Sequence, residues 1–254
     1  MPNLHKDVFL SLLEQKKKEN YIFFNEKEEI IENKKFKYLE CNIDLDILKV
    51  AVNLAKEKSQ FTMSQNQAAI PRDKVTKLQK CAQGVLAEMF IHILLMERYG
   101  FEVLRYDLER NSFVYKTDEY DLNIYISDQV YEVESRSSNI HHLSIKNFVE
   151  NDVIIGPYGN SVKQADELAD FHFRPIYMPN FEPFSYKDGK YVYNKKLVDG
   201  TIKLIITGVA TRQDFIRHAY KGTLGQRGTT YLLVPAKMAG DIDEMDKKFK
   251  SIMS

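Results

Sequence analysis

Cysteine is nearly absent from this chain. Its 254 residues include two, Cys41 and Cys81, too few and too far apart for a disulfide framework or a cysteine-ligated zinc site. An excess of one charge is also missing. Lysine plus arginine and aspartate plus glutamate number 36 each, so the formal net charge is zero. That argues against a surface coated in basic residues, although a local basic groove offset by an acidic centre gives the same sum. The most apolar stretch, "MFIHILLM", is far too short to span a bilayer. The first residues, "MPNLHKDVFLSLLEQKKK", carry charge where a signal peptide needs an apolar run. A soluble, cytoplasmic protein is the expectation. There are no internal repeats and no low-complexity tracts. "KGTLGQRGTT" has three glycines but lacks the Gly-Lys-Ser/Thr ending of a P-loop, so no nucleoside triphosphate site is expected.

What the chain does have is the means to build a core. Hydrophobic residues make up 44% and aromatic residues 12%, which sets disorder aside. Residues 1–72 are rich in lysine and glutamate and read as a helical N-terminal region, with helices over "DVFLSLLEQ" and "LDILKVAVNLAKEK". Contacts with DNA or with a second subunit are open to it. The polar stretch "SQFTMSQNQAAIPRD", containing Pro71, marks its end.

Residues 73–254 read as a second unit of the α/β class, a mixed central sheet flanked by helices. It starts with a long helix from Asp73, closed by Gly100 at C′. The second half of that helix is apolar nearly all round, the mark of a buried helix. Glu88 and His92 interrupt it, four residues apart on one stripe, with Gly84 a turn earlier. Strands follow at "FEVLRYD", "DLNIYIS" and "VYEVES". Next come a helix at "SVKQADELA", a strand at "DFHFRPIYM" and a hairpin at "YKDGKYVY" turning on Asp188-Gly189. "IKLIITGVA" reads as a strand, "TRQDFIRHAY" as a helix capped by Thr211, and "TYLLVPA" as the last strand.

The segment "YDLNIYISDQVYEVESRSS", residues 120 to 138, concentrates the chemistry. A two-residue turn at Ser127-Asp128 makes strand partners sum to 255, so Asp121 faces Glu134 and Asn123 faces Glu132. Alternation puts these four on one face, with Tyr125 and Val130 further along it. Leu122, Ile124, Ile126, Tyr131 and Val133 take the other face, as a core should. Like charges opposite each other in a sheet cost stability. Either the face is simply solvated, or a divalent cation reverses the sign of the interaction. Oxygen-only ligands suit Mg²⁺, which keeps its waters and favours phosphate as co-ligand.

The run "GVLAEMFIHILLMERYGFEVLRYD", then "EYDLNIYI", then "VYEVESRSS" resembles the PD-(D/E)XK nuclease superfamily, with its restriction-endonuclease-like fold. The likeness covers roughly residues 80 to 180. In that family a helix with a glutamate precedes a three-stranded meander. An aspartate begins the second strand and an acidic-X-lysine triplet lies on the third. Residue by residue, Glu88 matches the helix glutamate, Asp121 the metal-binding aspartate, and Glu132 the first acid of the triplet. The triplet here is Glu132-Val133-Glu134, with glutamate in place of lysine. The resemblance implies a Mg²⁺-dependent, sequence-specific double-stranded DNA endonuclease of the type II restriction class. One or two ions per site and a homodimer cutting both strands are part of that expectation.

The roles the resemblance implies are specific. Asp121, Glu132 and the Val133 carbonyl hold the metal, with Glu134 as third ligand or water-orienting base. Glu88 anchors a metal-bound water or a second ion. The positive charge missing from the triplet is sought at Arg136, then Lys146 and Lys163. Lys77 and Lys80, with Lys74 and Arg72 upstream, either form a solvated helix face or contact phosphates. His92 reads as a packed histidine bonded to Glu88, and His141 and His142 as loop residues. Tyr186, Tyr191 and Tyr193, interleaved with Lys187, Lys190, Lys195 and Lys196, either line a groove or protect an edge hairpin. Two other functions remain open: an inactive DNA-binding relative of the same fold, and a structure-specific repair or junction nuclease.

Overall fold

The structure is a computed structural model that describes residues 4–61, 73–109, 121–140, 144–160, 167–179, 181–187, 190–224 and 228–253. The chain begins with helix α1 (Leu4–Lys18), strands β1 (Phe24–Ile31) and β2 (Lys34–Cys41), and helix α2 (Leu45–Phe61). The N-terminal region is therefore only partly helical. Its strands escape a hydrophobicity reading because β1 is largely exposed and half of its cross-strand neighbours are lysine or glutamate. Lys35 reaches Glu28 at 3.0 Å and Lys37 lies 3.7 Å from Glu26. Pairs of this kind stabilise a solvated edge without any apolar alternation.

Helix α3 (Lys74–Tyr99) is the axis of the core. Asp73 caps it by accepting the N–H of Thr76, and Gly100 closes it in the left-handed conformation at φ 70°. The following elements are β3 (Glu102–Arg105), a single turn α4 (Tyr106–Glu109), β4 (Leu122–Ile126), β5 (Gln129–Ser135) and β6 (Ser138–Asn139). Helix α5 (Ile145–Asn151) and strands β7 (Val153–Asn160), β8 (Phe171–Phe173) and β9 (Ile176–Met178) come next. The hairpin β10 (Phe184–Lys187) and β11 (Lys190–Tyr193) stands by itself, and its turn at Asp188-Gly189 lies outside the described residues. The chain continues with β12 (Lys203–Ile206), β13 (Val209–Thr211), α6 (Arg212–His218), β14 (Tyr220–Gly222), β15 (Thr229–Pro235) and α7 (Ile242–Met253).

The protein is of the mixed α/β class. One five-stranded sheet runs β13-β8-β5-β4-β3 and a second runs β1-β2-β12-β9-β6. The same three segments of chain supply both. β5 passes into β6, β8 into β9, and β12 into β13, so each leaves one sheet and enters the other at the same line. "DFHFRPIYM" and "IKLIITGVA", each read as one strand, are thus broken in the middle. Pairing is carried across the line by Arg136 N–H to Phe173 C=O at 3.1 Å and Ser138 N–H to Pro175 C=O at 3.0 Å. Gly208, in the third segment, lets the chain lie close against another backbone stretch, because a Cβ at that position would meet the carbonyl oxygens of Ala239 and Gly240 at 2.4–2.5 Å.

Val85 to Leu95 of α3 are buried almost without exception, packed with α2 on one side and Leu122, Ile124 and Val133 of the sheet on the other. Helix α7, which the sequence reading passed over, buries Ile242, Met245 and Phe249 at helical spacing against the same core. Thr211 and Asp214 form a reciprocal capping box at the start of α6, as the sequence implies. Of the helix expected at "SVKQADELA", residues 161–166 are outside the described set, and Glu167 to Ala169 are not helical. Among the described residues, no helix is long and apolar enough to cross a membrane.

Candidate active site

The β4–β5 hairpin forms in the register that the alternation implies. Leu122 pairs with Val133, Asn123 with Glu132, and Ile126 with Gln129 around Ser127-Asp128. Ser127 takes φ 55°, as a tight turn requires. Leu122, Ile124 and Val133 are fully buried, so the opposite face carries the acids. Continuing the register past the end of β4 sets Asp121 opposite Glu134.

Asp121 is held in place by its neighbours on both strands. Its carbonyl accepts the N–H of Tyr106 at 3.2 Å, and its Oδ2 accepts the N–H of Ser135 at 2.7 Å. Burial pushes its carboxyl up to about 7, and the charge of Glu134 adds to the rise, while Lys58, the Ser135 N–H and Arg136 oppose it. Glu134 is ion-paired with Arg136, whose guanidinium lies over the Tyr158 ring at 5.0 Å. Glu134 is thus the acid opposite Asp121 across the hairpin, and its charge acts on Asp121.

Glu132 shares the face but has other partners. Its carboxylate lies 3.5 Å from Arg212, which also holds Asp170 at 3.1 Å. Its backbone N–H donates to Asp170 Oδ2 at 2.9 Å. Opposite it, the Asn123 Oδ1 is buried with no hydrogen-bond partner among the described residues. The Val133 side chain is buried, between Leu122 and Phe171 on the neighbouring strands.

Glu88 approaches the acids from α3 and is 5% exposed. Burial raises its carboxyl to about 7; Lys58 opposes this, and Asp121 and Asp107 reinforce it. Its expected partner, His92, instead packs edge-on against Phe9 with centroids 5.1 Å apart. Burial lowers the His92 pKa to about 3, so it is neutral.

Three members of the cluster were not singled out in the sequence. Lys58, in the last turn of α2, places its Nζ 3.2 Å from Glu88 and 4.0 Å from Asp107. Its pKa is raised: burial works against its charge, but Glu88, Asp107 and Asp121 outweigh burial. Arg105 and Asp107 form a buried pair with Nε to Oδ1 at 2.5 Å. Burial opposes ionisation of Asp107, yet Arg105 and Lys58 still hold its carboxyl below the usual range. "LAKEK" looks like a solvated helix end, and nothing in its pattern tells that α2 packs across α3.

The remaining residues of interest lie elsewhere. Lys80 is exposed on the first half of α3 and bonds Gln83 at 3.2 Å, with Lys77 three residues before it. Lys146 is an exposed residue of α5 lying 3.8 Å from Glu150. Lys163, Arg72, His141 and His142 lie outside the described residues.

Among the described residues, no three His, Cys, Asp or Glu side chains are close enough to hold a metal together. The donor chemistry nevertheless fits a hard cation. The site offers acid oxygens, and two carboxyls there are pushed up to about 7, chiefly by burial and further by neighbouring acids. Mg²⁺ commonly takes one or two carboxylates and completes its shell with water and phosphate, which the Asp121–Glu134 pair satisfies. No family model, curated protein or solved structure matches the chain.

Proposed function

We propose that the protein is a Mg²⁺-dependent endonuclease of the restriction-endonuclease-like fold, acting on double-stranded DNA as a type II restriction enzyme. The observation that carries this reading is the meeting of Asp121 and Glu134 at the open end of the β4–β5 hairpin, with Glu88 arriving from a buried helix. The order of helix, three antiparallel strands and a further strand parallel to the third supports it.

Within this reading the acid pair is Asp121 and Glu134, and the triplet shifts by two residues to Glu134-Ser135-Arg136. A cation then stands in the position where the family has lysine, and Glu132 belongs to the Arg212–Asp170 network. The Ser135 N–H fixes the orientation of the Asp121 carboxylate and leaves its second oxygen for a ligand. Arg136 cannot give up a proton, so it neutralises phosphate charge and does not act as a base. Glu88, with its carboxyl near neutrality, accepts the proton of the attacking water. Asp121 and Glu134 would hold Mg²⁺, which would supply polarisation of the phosphate and a lowered pKa for water. Lys74, Lys77 and Lys80, along the first half of α3, supply phosphate contacts. A homodimer places one such site on each strand of the duplex.

Incubation of the protein with unmethylated plasmid and phage DNA, with and without Mg²⁺, tests the reading. Discrete fragments formed only with Mg²⁺ are expected. A smear would mean a nuclease without sequence preference. DNA left intact at every metal concentration would refute the assignment.

A further inference from the structure

The charges around the acid pair do not balance by themselves. Four carboxylates converge there: Glu88, Asp107, Asp121 and Glu134. Arg105 pairs with Asp107 and Arg136 with Glu134. Lys58 serves Glu88, with its Nζ 3.2 Å and 3.4 Å from the two Glu88 oxygens, lies 4.0 Å from Asp107, and its charge also acts on Asp121. Lys58 belongs to α2, so the N-terminal region contributes directly to the cluster.

The side chains differ in their freedom to move. Arg105 is 1% exposed, with its planar fork held on Asp107 through two nitrogens. Lys58 carries a compact ammonium on a four-carbon chain with rotatable donors, and it is only part-buried. A divalent cation entering between Asp121 and Glu134 brings two positive charges close to this ammonium. The carboxylates then have less need of Lys58, and the ammonium is repelled. A phosphate arriving with the substrate offers it a new partner.

We propose, resting on the divalent-cation site argued above, that Lys58 is a resident counter-cation: it competes with the metal for the Glu88 and Asp121 carboxylates and passes to the substrate phosphate when metal and DNA bind. Lys58 thereby couples the two ligands. It weakens metal binding while DNA is absent and strengthens DNA binding once metal is present. By linkage, each ligand favours the other.

The test is a titration of Mn²⁺, read by its paramagnetic signal, into wild type, Lys58→Met and Lys58→Arg without DNA. Fluorescence anisotropy of a labelled duplex in Ca²⁺ follows. Lys58→Met should bind Mn²⁺ about tenfold more tightly, because one nearby positive charge is gone, and should bind the duplex at least fivefold more weakly. Lys58→Arg should stay within about twofold of wild type in Mn²⁺ affinity, since its charge is kept. If Lys58→Met does not fold, Lys58→Gln, which keeps a donor for Glu88, serves in its place. Mn²⁺ affinity in the neutral variant that is equal to or weaker than wild type overturns the role of Lys58 and leaves the metal site standing. No Mn²⁺ binding by any of these proteins overturns the metal site, and the role of Lys58 with it.

Discussion

Asp121 and Ser135 are joined by a 2.7 Å hydrogen bond from the Ser135 N–H to the Asp121 carboxylate, across the end of the β4–β5 hairpin. The bond aims the carboxylate at the neighbourhood of Glu134 and Arg136. Asp121→Asn keeps an oxygen for that N–H while removing the charge. The variant should fold normally, bind duplex DNA in Ca²⁺, and lose Mg²⁺-dependent cleavage by about 10³-fold or more, on the order of 4 kcal/mol of barrier. A cleavage rate within tenfold of wild type would remove Asp121 from the mechanism.

The two raised carboxyls make a prediction for the metal-free protein. Asp121 and Glu88 hold protons up to about pH 7 in the folded state, whereas their unfolded values lie near 4. Between those limits the folded state binds more protons than the unfolded state, so stability falls as pH rises through that window. In EDTA, melting temperature should decline from about pH 5 to pH 7.5. Glu88→Gln should flatten that decline, and added Mg²⁺ should reverse it at pH 7.5. A decline of the same steepness in wild type and Glu88→Gln would show that Glu88 is not a source of the proton uptake.

Gly208 sits on the line where three segments change sheets. A methyl group there meets backbone oxygens of Ala239 and Gly240, which cannot swing aside as a side chain would. Gly208→Ala should cost about 1–3 kcal/mol or more in urea unfolding. Stability unchanged from wild type would mean that the approach of the two backbones is less close than described.

Arg105 holds Asp107 in an environment that excludes water from both. Arg105→Met leaves Asp107 without its closest partner and should destabilise the fold by about 3–5 kcal/mol. Asp107→Asn combined with Arg105→Met should recover part of that loss, as measured by a double-mutant cycle. Strictly additive effects would argue against a coupled pair.

Much of this arrangement is legible from residue order. The β4–β5 register follows from apolar alternation and a two-residue turn, because slipping by one position would expose Leu122, Ile124 and Val133. The ends of α3 follow from Asp73 and Gly100. Other features carry no local signal. β1 and β2 are paired partly through Lys and Glu, which look the same on a solvated helix as on an edge strand. Lys58 and Arg105 acquire their roles only when α2 and β3 pack against α3. The partner of Glu132 is Arg212, some eighty residues away, whereas that of Glu134 is Arg136, two residues along the same face. Alternation with the two-residue turn sets Asp121 opposite Glu134, whereas the resemblance points to Glu132 as its metal-binding partner.

The central claim is that Glu134, and not Glu132, completes the cation site with Asp121. Calcium binding to the purified protein, measured by titration calorimetry for wild type, Glu134→Gln and Glu132→Gln, tests it most directly. Glu134→Gln should weaken binding by about tenfold or more, since one charged ligand is lost, while Glu132→Gln should remain within about twofold of wild type. Loss of binding in Glu132→Gln with Glu134→Gln unaffected would contradict the account.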